Sequence, residues 1–294
     1  MLDLSTRNPP DCPGRAPLTA HLDCRPRSRG YYVSVDTVRK TILEQSKRAN
    51  VGHIGCALSV ADIVSTVYDC GLRDRTGDAN DRDRFVLSKG HAALALYACL
   101  HSKGRLSREQ LDTYCADNTL LGVHPEHALE GVDFCTGSLG QGLSMAAGAA
   151  LAARLQKSSR RVYALLSDAE CNEGSVWEAA MFAAQHKLAN LTAVIDFNGQ
   201  QAFGYTRDVL DLSNMADRWR AFRWDVHEVD GHDRAQMRDV LGSLDYASGA
   251  PHLIVARTTF GKGVSFMEST IKWHYWPLSD GEYRDALQQV GVES

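Results

Sequence analysis

Residues 161–204 read RVYALLSDAECNEGSVWEAAMFAAQHKLANLTAVIDFNGQQAFG, and the fold turns on this stretch. Val162-Tyr163-Ala164-Leu165-Leu166 is an apolar run of strand length that stops at a polar turn. Leu191-Thr192-Ala193-Val194-Ile195 is a second run, stopping at Asp196-Phe197-Asn198-Gly199. Between them Val176, Trp177, Ala180, Met181, Ala184 and Leu188 recur at helical spacing, in a helix that starts near Gly174. Strand, helix, strand predicts a βαβ unit with parallel strands and a right-handed crossover. Both carboxyl strand ends then lie at the edge where open α/β sheets bind ligands, which brings Asp168 and Asn198 together although they are 30 positions apart.

A carboxylate, an amide oxygen and a nearby backbone carbonyl suit a hard divalent cation, which takes about six oxygens at roughly 2.1 Å and keeps several for phosphate and water. The free N–H groups of the intervening helix point the same way and favour an anion. Taken alone, the same letters also describe an ordinary strand-end Asp and an Asn-Gly turn.

The 294 residues suffice for one large domain or two small ones with a sizeable core. A net charge of -4 and a pI near 6.3 give no basic face for nucleic acid, so no nucleic-acid partner is expected. The 8 cysteines form no C-x-x-C pair and keep no regular spacing, which reads as reduced thiols in a cytoplasmic protein. There is no basic segment followed by an apolar one at the N-terminus and no uninterrupted apolar run of about 18 residues, so neither secretion nor a membrane span is expected. Residues 1–30 hold prolines 9, 10, 13, 17 and 26 and arginines 25, 27 and 29, and read as a surface tail before a single domain at 31–294.

Helical spacing covers Tyr32 to Ala49 and Val60 to Tyr68, with the loop Val51-Gly52-His53-Ile54-Gly55-Cys56-Ala57-Leu58-Ser59 between them. Residues 81–93, DRDRFVLSKGHAA, read as a turn, a short strand and a helix start carrying His91, whose charged form the helix dipole disfavours. Gly122-Val123-His124-Pro125-Glu126 and Thr136-Gly137-Ser138-Leu139-Gly140-Gln141-Gly142 follow, then a small-residue helix from Leu143 to Leu155. Further strands are expected at Asp225 to Val229 and His252 to Ala256, flanking a helix from about Asp233 to Leu244 capped by Asp233. His53 on its glycine-flanked loop also reads as a turn residue, and His274 in Trp273-His274-Tyr275-Trp276 as simple packing.

Ser167-Asp168-Ala169, Glu173-Gly174, Val176-Trp177-Glu178-Ala179-Ala180, Lys187-Leu188-Ala189-Asn190-Leu191 and Asp196-Phe197-Asn198-Gly199, in this order, resemble the thiamine diphosphate motif of transketolases. That motif is G-D-G followed at a distance by N, with E-G-x-x-W-E-A inside it. The loop at His53 resembles S-G-H-P-G-x-x-x-S/G, residues 81–91 resemble D-R-D-R-F-V-L-S-x-G-H, and His124 lies in a likeness of G-H-P-E. Asp230-Gly231-His232-Asp233 and Thr258 to Glu268 extend the similarity, which runs from about Tyr32 to about Glu282.

The resemblance implies a doubly wound, mostly parallel α/β sheet with helices on both faces, binding thiamine diphosphate and Mg2+ (or Ca2+/Mn2+). Asp168, Asn198 and the Gln200 carbonyl would hold the metal. His91, Gly137, Ser138, Leu139, Asp168, Ala169, Glu173, Asn198 and His274 would contact the cofactor, and His53, His124 and His274 would be catalytic. The implied activity is transfer of a two-carbon ketol unit from a ketose or its phosphate to an aldose, the cofactor serving as electron sink. It also implies the N-terminal subunit of a split enzyme, inactive without a separate C-terminal subunit carrying the pyrimidine-binding domain, in an α2β2 assembly. Other thiamine diphosphate enzymes, such as deoxyxylulose-phosphate synthase or the 2-oxo acid dehydrogenases, and an idle scaffold are the competing readings. Three departures stand out: Ser167-Asp168-Ala169 for G-D-G, Gln200-Gln201-Ala202-Phe203 for an aliphatic stretch, and Ile54 for proline.

Overall fold

The computed structural model describes residues 32–73 and 81–291, so the expected tail at 1–30 lies outside the described residues. The apolar runs become strands because each fills a core on both sides. The strands β1 (Arg84–Leu87), β2 (Val162–Ser167), β3 (Leu191–Phe197), β6 (Asp225–Asp230) and β7 (His252–Arg257) form one parallel sheet in the order β1-β2-β3-β7-β6. The short β4 (Gln200–Gln201) and β5 (Gly204–Tyr205) form a separate antiparallel hairpin, a feature that the sequence pattern does not announce.

Alternate strand residues enter two cores, as the two-residue period requires. Leu87, Tyr163, Leu165, Val194 and Ile254 face α1 (Val35–Ala49), α2 (Ile54–Thr66) and α3 (Ala93–Ser102), and α9 (Arg234–Ser243) joins the same side. Val86, Ala164, Leu166, Ile195 and Val255 face α5 (Gly142–Leu155), α6 (Gly174–Gln185) and α8 (Met215–Ala221). Buried Ala146, Ala147 and Ala150 let α5 lie close against β1, β2 and β3. The short α4 (Arg108–Leu111) and α7 (Thr206–Val209) and the C-terminal α10 (Asp280–Gln289) complete the chain. Asp233 caps α9 by accepting from the amides of Ala235 and Gln236, as expected from sequence.

Three boundaries differ from expectation. The second helix begins at Ile54, inside the histidine loop, because Ile54, Cys56, Ala57 and Leu58 are all buried and extend its apolar surface. A 3-10 turn, Ala169–Asn172, intervenes between β2 and α6. The segment Ile54–Gly71, helix plus a closing π turn, is 18 residues long with mean hydropathy 1.3, so one helix does pass a membrane test by length and composition. Its place is the protein core, where 83% of it is buried.

Candidate active site at the carboxyl edge of the sheet

Register pairs Ser167 with Asp196, so the chain leaves β2 and β3 side by side. The fully buried Asp168 spans the two exits: Oδ1 accepts from the Ala169 N–H at 2.8 Å and Oδ2 from the Gly199 N–H at 2.7 Å. Gly199 has φ 74°, a left-handed turn that glycine enters without strain. Asn198 lies in the same turn, its Oδ1 accepting from the Gln200 N–H at 2.9 Å. Burial, then the nearby Asp196, pushes the Asp168 carboxyl up to about 7. A cation at its oxygens would restore the charged form.

Asp196 has the opposite surroundings. It is buried and forms an ion pair with the buried Lys89, while Ser59 Oγ donates to it at 2.8 and 3.0 Å, Asn198 Nδ2 at 2.8 Å, and Thr258 Oγ1 as well. Burial opposes its charge, but Lys89 and these donors outweigh it and hold the carboxyl below its ordinary range. No motif in the sequence marks Lys89 and Asp196 as a pair. The available signal is opposite charges in the turn after β1 and at the end of apolar β3.

Glu170 carries the second buried scaffold. It accepts from Ser88 Oγ, from the Gly140 N–H at 2.8 Å and from the Ser167 N–H at 3.2 Å. This fastens the segment containing Gly137, Ser138 and Leu139 to the exit of β2, and Thr136 Oγ1 adds a 2.6 Å bond to the Leu87 carbonyl. Gly142 is required here, because a Cβ would lie 2.3 Å from Ser88 Oγ. Glu173 is exposed at the start of α6, caps nothing with its side chain, and lies beside Gly140. Ala169 is absent from the positive-φ residues, so its methyl group is accommodated in the 3-10 turn.

Four histidines gather above this edge. His53 has φ 60° at the start of α2, and its N–H donates to the His274 carbonyl at 3.2 Å, joining two distant loops. Its ring lies 5.6 Å from that of His91. His274 stacks on Phe260 at 4.4 Å, and its Nδ1 is 3.4 Å from Cys56 Sγ. Phe260 reaches it only because residue 55 is glycine, where a Cβ would meet the ring at 2.2 Å. His124 is exposed beside Gly137, and its carbonyl accepts from Tyr97 Oη at 3.1 Å.

All four imidazoles are shifted toward the neutral form. Burial, then Lys89, His53, His274 and His124, hold His91 well below the ordinary histidine range. Burial, followed by Lys89 and His53, brings His274 down to about 4. Burial, then His124, lowers His53, and burial lowers His124. The neutral state of His91 therefore has burial as its main cause; its ring sits in the 3-10 turn Gly90–Ala92 ahead of α3, which corrects the expectation of a helix-dipole effect. His53 Nδ1, His274 Nε2 and Gln200 Oε1 are buried without a hydrogen-bond partner among the described residues. Unused donors and acceptors around a carboxylate that favours a cation fit a metal-linked polar ligand.

The D-G-H-D element lies beneath the site. His232 Nε2 accepts from the Thr259 N–H at 2.8 Å, so its Nδ1 carries the proton donated to Asp62 at 2.8 Å. This relay joins α2 to the segment after β7.

Residues 32–294 match the family described as transketolase, thiamine diphosphate binding domain. One of the two chains of apulose-4-phosphate transketolase from Phocaeicola vulgatus is 42% identical over 255 residues, 86% of this chain and 90% of that protein. The 6-deoxy-6-sulfo-D-fructose transketolase subunit SqwG of Clostridium sp. is 37% identical over 261 residues, covering 88% and 95%. The transketolase structure from Campylobacter jejuni superposes with a TM-score of 0.82 at 32% identity, over 88% of this chain and 42% of that one. Full-length agreement with separate subunits, and partial agreement with a longer single chain, place the protein in the transketolase family as an N-terminal subunit with the thiamine diphosphate binding domain.

Proposed function

We propose that this subunit, with a separate C-terminal subunit in an α2β2 assembly, moves a two-carbon ketol unit between a ketose, free or phosphorylated, and an aldose acceptor in the cytoplasm. The observation that carries this reading is the convergence of His53, His91, His124 and His274 on the strand exits that hold Asp168 and Asn198. Bound thiamine diphosphate supplies the carbon nucleophile and the electron sink that the cleavage of a ketose carbon–carbon bond requires.

Asp168, Asn198 and the Gln200 carbonyl offer hard oxygen donors, which favour magnesium over softer cations. Gly137, Ser138, Leu139, Ala169 and Glu173 line the cofactor side, and neutral His91 donates to diphosphate oxygens. His53, His124 and His274 accept and return protons at the sugar hydroxyls, a task for which neutral imidazoles are suited. His53 Nδ1 and His274 Nε2 are the unused atoms available for it.

The test is ketol transfer by the purified chain, with and without a transketolase C-terminal subunit, thiamine diphosphate and magnesium. Turnover should need all three additions. Robust turnover by the isolated chain would overturn the two-chain reading, and turnover unaffected by His53→Ala and His124→Ala would overturn the histidine roles.

A further inference from the structure

We propose that Glu126, His127 and Cys135 form a second cation site, for a thiophilic divalent ion of the zinc class. Cys135 Sγ lies 2.8 Å from Glu126 Oε1 and 2.8 Å from His127 Nδ1, and the last two atoms are 2.9 Å apart. The His127 N–H also points at the sulfur, at 3.2 Å. Thiol, imidazole and carboxylate are the donor types zinc combines, whereas magnesium avoids sulfur, so this set differs in kind from the oxygen donors at Asp168.

With zinc–nitrogen and zinc–oxygen bonds near 2.0 Å and zinc–sulfur near 2.3 Å, tetrahedral ligands stand roughly 3.3–3.5 Å apart. The three donors need to open by less than about 1 Å, and the 69% exposed His127 and 45% exposed Glu126 side chains are free to do so. On binding, the Cys135 thiol proton leaves to solvent as the sulfur–metal bond forms. Neutral His127 and ionised Glu126 each donate a lone pair, and water takes the fourth position.

Placement gives the site a consequence. Glu126 and His127 follow directly on His124-Pro125, and Cys135 directly precedes Thr136-Gly137-Ser138-Leu139. A bound ion would staple the segment carrying His124 to the one facing the cofactor, and so restrict the motion of His124.

The experiment is a cobalt(II) titration of the full chain in millimolar magnesium, followed by displacement with zinc. One equivalent of cobalt should give a thiolate-to-metal charge-transfer band with tetrahedral d–d bands, and zinc should abolish both. The signal should vanish in Cys135→Ser and His127→Ala, weaken at least tenfold in affinity in Glu126→Gln, and survive in Cys56→Ala and Asp168→Ala. Absence of the charge-transfer band in the parent protein, or its survival in Cys135→Ser, would overturn the proposal.

Discussion

Two aspartates leave neighbouring strands at the same edge, both fully buried, and their surroundings make opposite demands. Asp196 sits in a closed set with Lys89, Ser59, Thr258 and Asn198, and its charge is satisfied within the protein. Asp168 has only backbone N–H groups from Ala169 and Gly199, and its carboxyl is pushed up to about 7. One carboxylate has a resident cation and the other is held ready for one that arrives from outside. The first belongs to the fold, the second to the ligand, although their burial and position in the strand ends are nearly the same.

The sharpest way to break this comparison is Asp196→Ala. It strands the Lys89 ammonium in the core and should remove about 3–5 kcal/mol of stability. Chemical denaturation would measure this, and the double variant Lys89→Met with Asp196→Leu should recover most of the loss. A single-variant loss below about 1 kcal/mol would show that the pair does not organise the edge.

Asp168→Ala should do the reverse. Its cost in stability should be smaller than that of Asp196→Ala, while metal-dependent thiamine diphosphate affinity falls roughly 100-fold or more. Calorimetry of the variant decides the matter; binding at the parent affinity would show that Asp168 is no metal ligand.

Lys89 also acts on His274, which gives the comparison a pH signature. The unfolded chain protonates His274 near 6.5, whereas the folded chain does so near about 4, so unfolding takes up a proton between those values. Stability from this group is fully present above pH 6.5 and lost as pH falls toward 4, by up to roughly 3 kcal/mol. Denaturation midpoints across this range should show a steeper decline in the parent than in His274→Phe. Equal slopes would place the titration elsewhere.

The smallest effect concerns the residue after Asp168. With Ala169 at negative φ in its 3-10 turn, Ala169→Gly should lower stability by about 0.5–1 kcal/mol and leave cofactor affinity nearly unchanged. A large gain in affinity would show that the methyl group obstructs the diphosphate.

What the sequence disclosed follows the range of its signals. The strand runs at 162–166 and 191–195, the turn at Asn198-Gly199 and the cap at Asp233 are local patterns, and they hold in the structure. The histidines are legible through motif likeness, and the fold brings them together. The pair Lys89 and Asp196 stays hidden in the sequence because its partners lie 107 positions apart, where neither pattern nor spacing links them. Glu170 is hidden for a similar reason, as its acceptor role depends on Ser88 and Gly140 from other parts of the chain. The early start of α2 escapes the pattern because glycine and histidine at 52–55 read as a loop, while burial of Ile54 and Cys56 makes the segment helical.

The backbone at His53 has one more consequence. Its φ of 60° is a conformation that glycine and asparagine adopt readily and histidine does not, with a cost of about 1 kcal/mol. Under selection for heat resistance alone, His53→Gly or His53→Asn would therefore be among the first substitutions enriched, and the survivors would be inactive. A stability screen on this scaffold would select against its own chemistry at residue 53, unless turnover were scored in the same round.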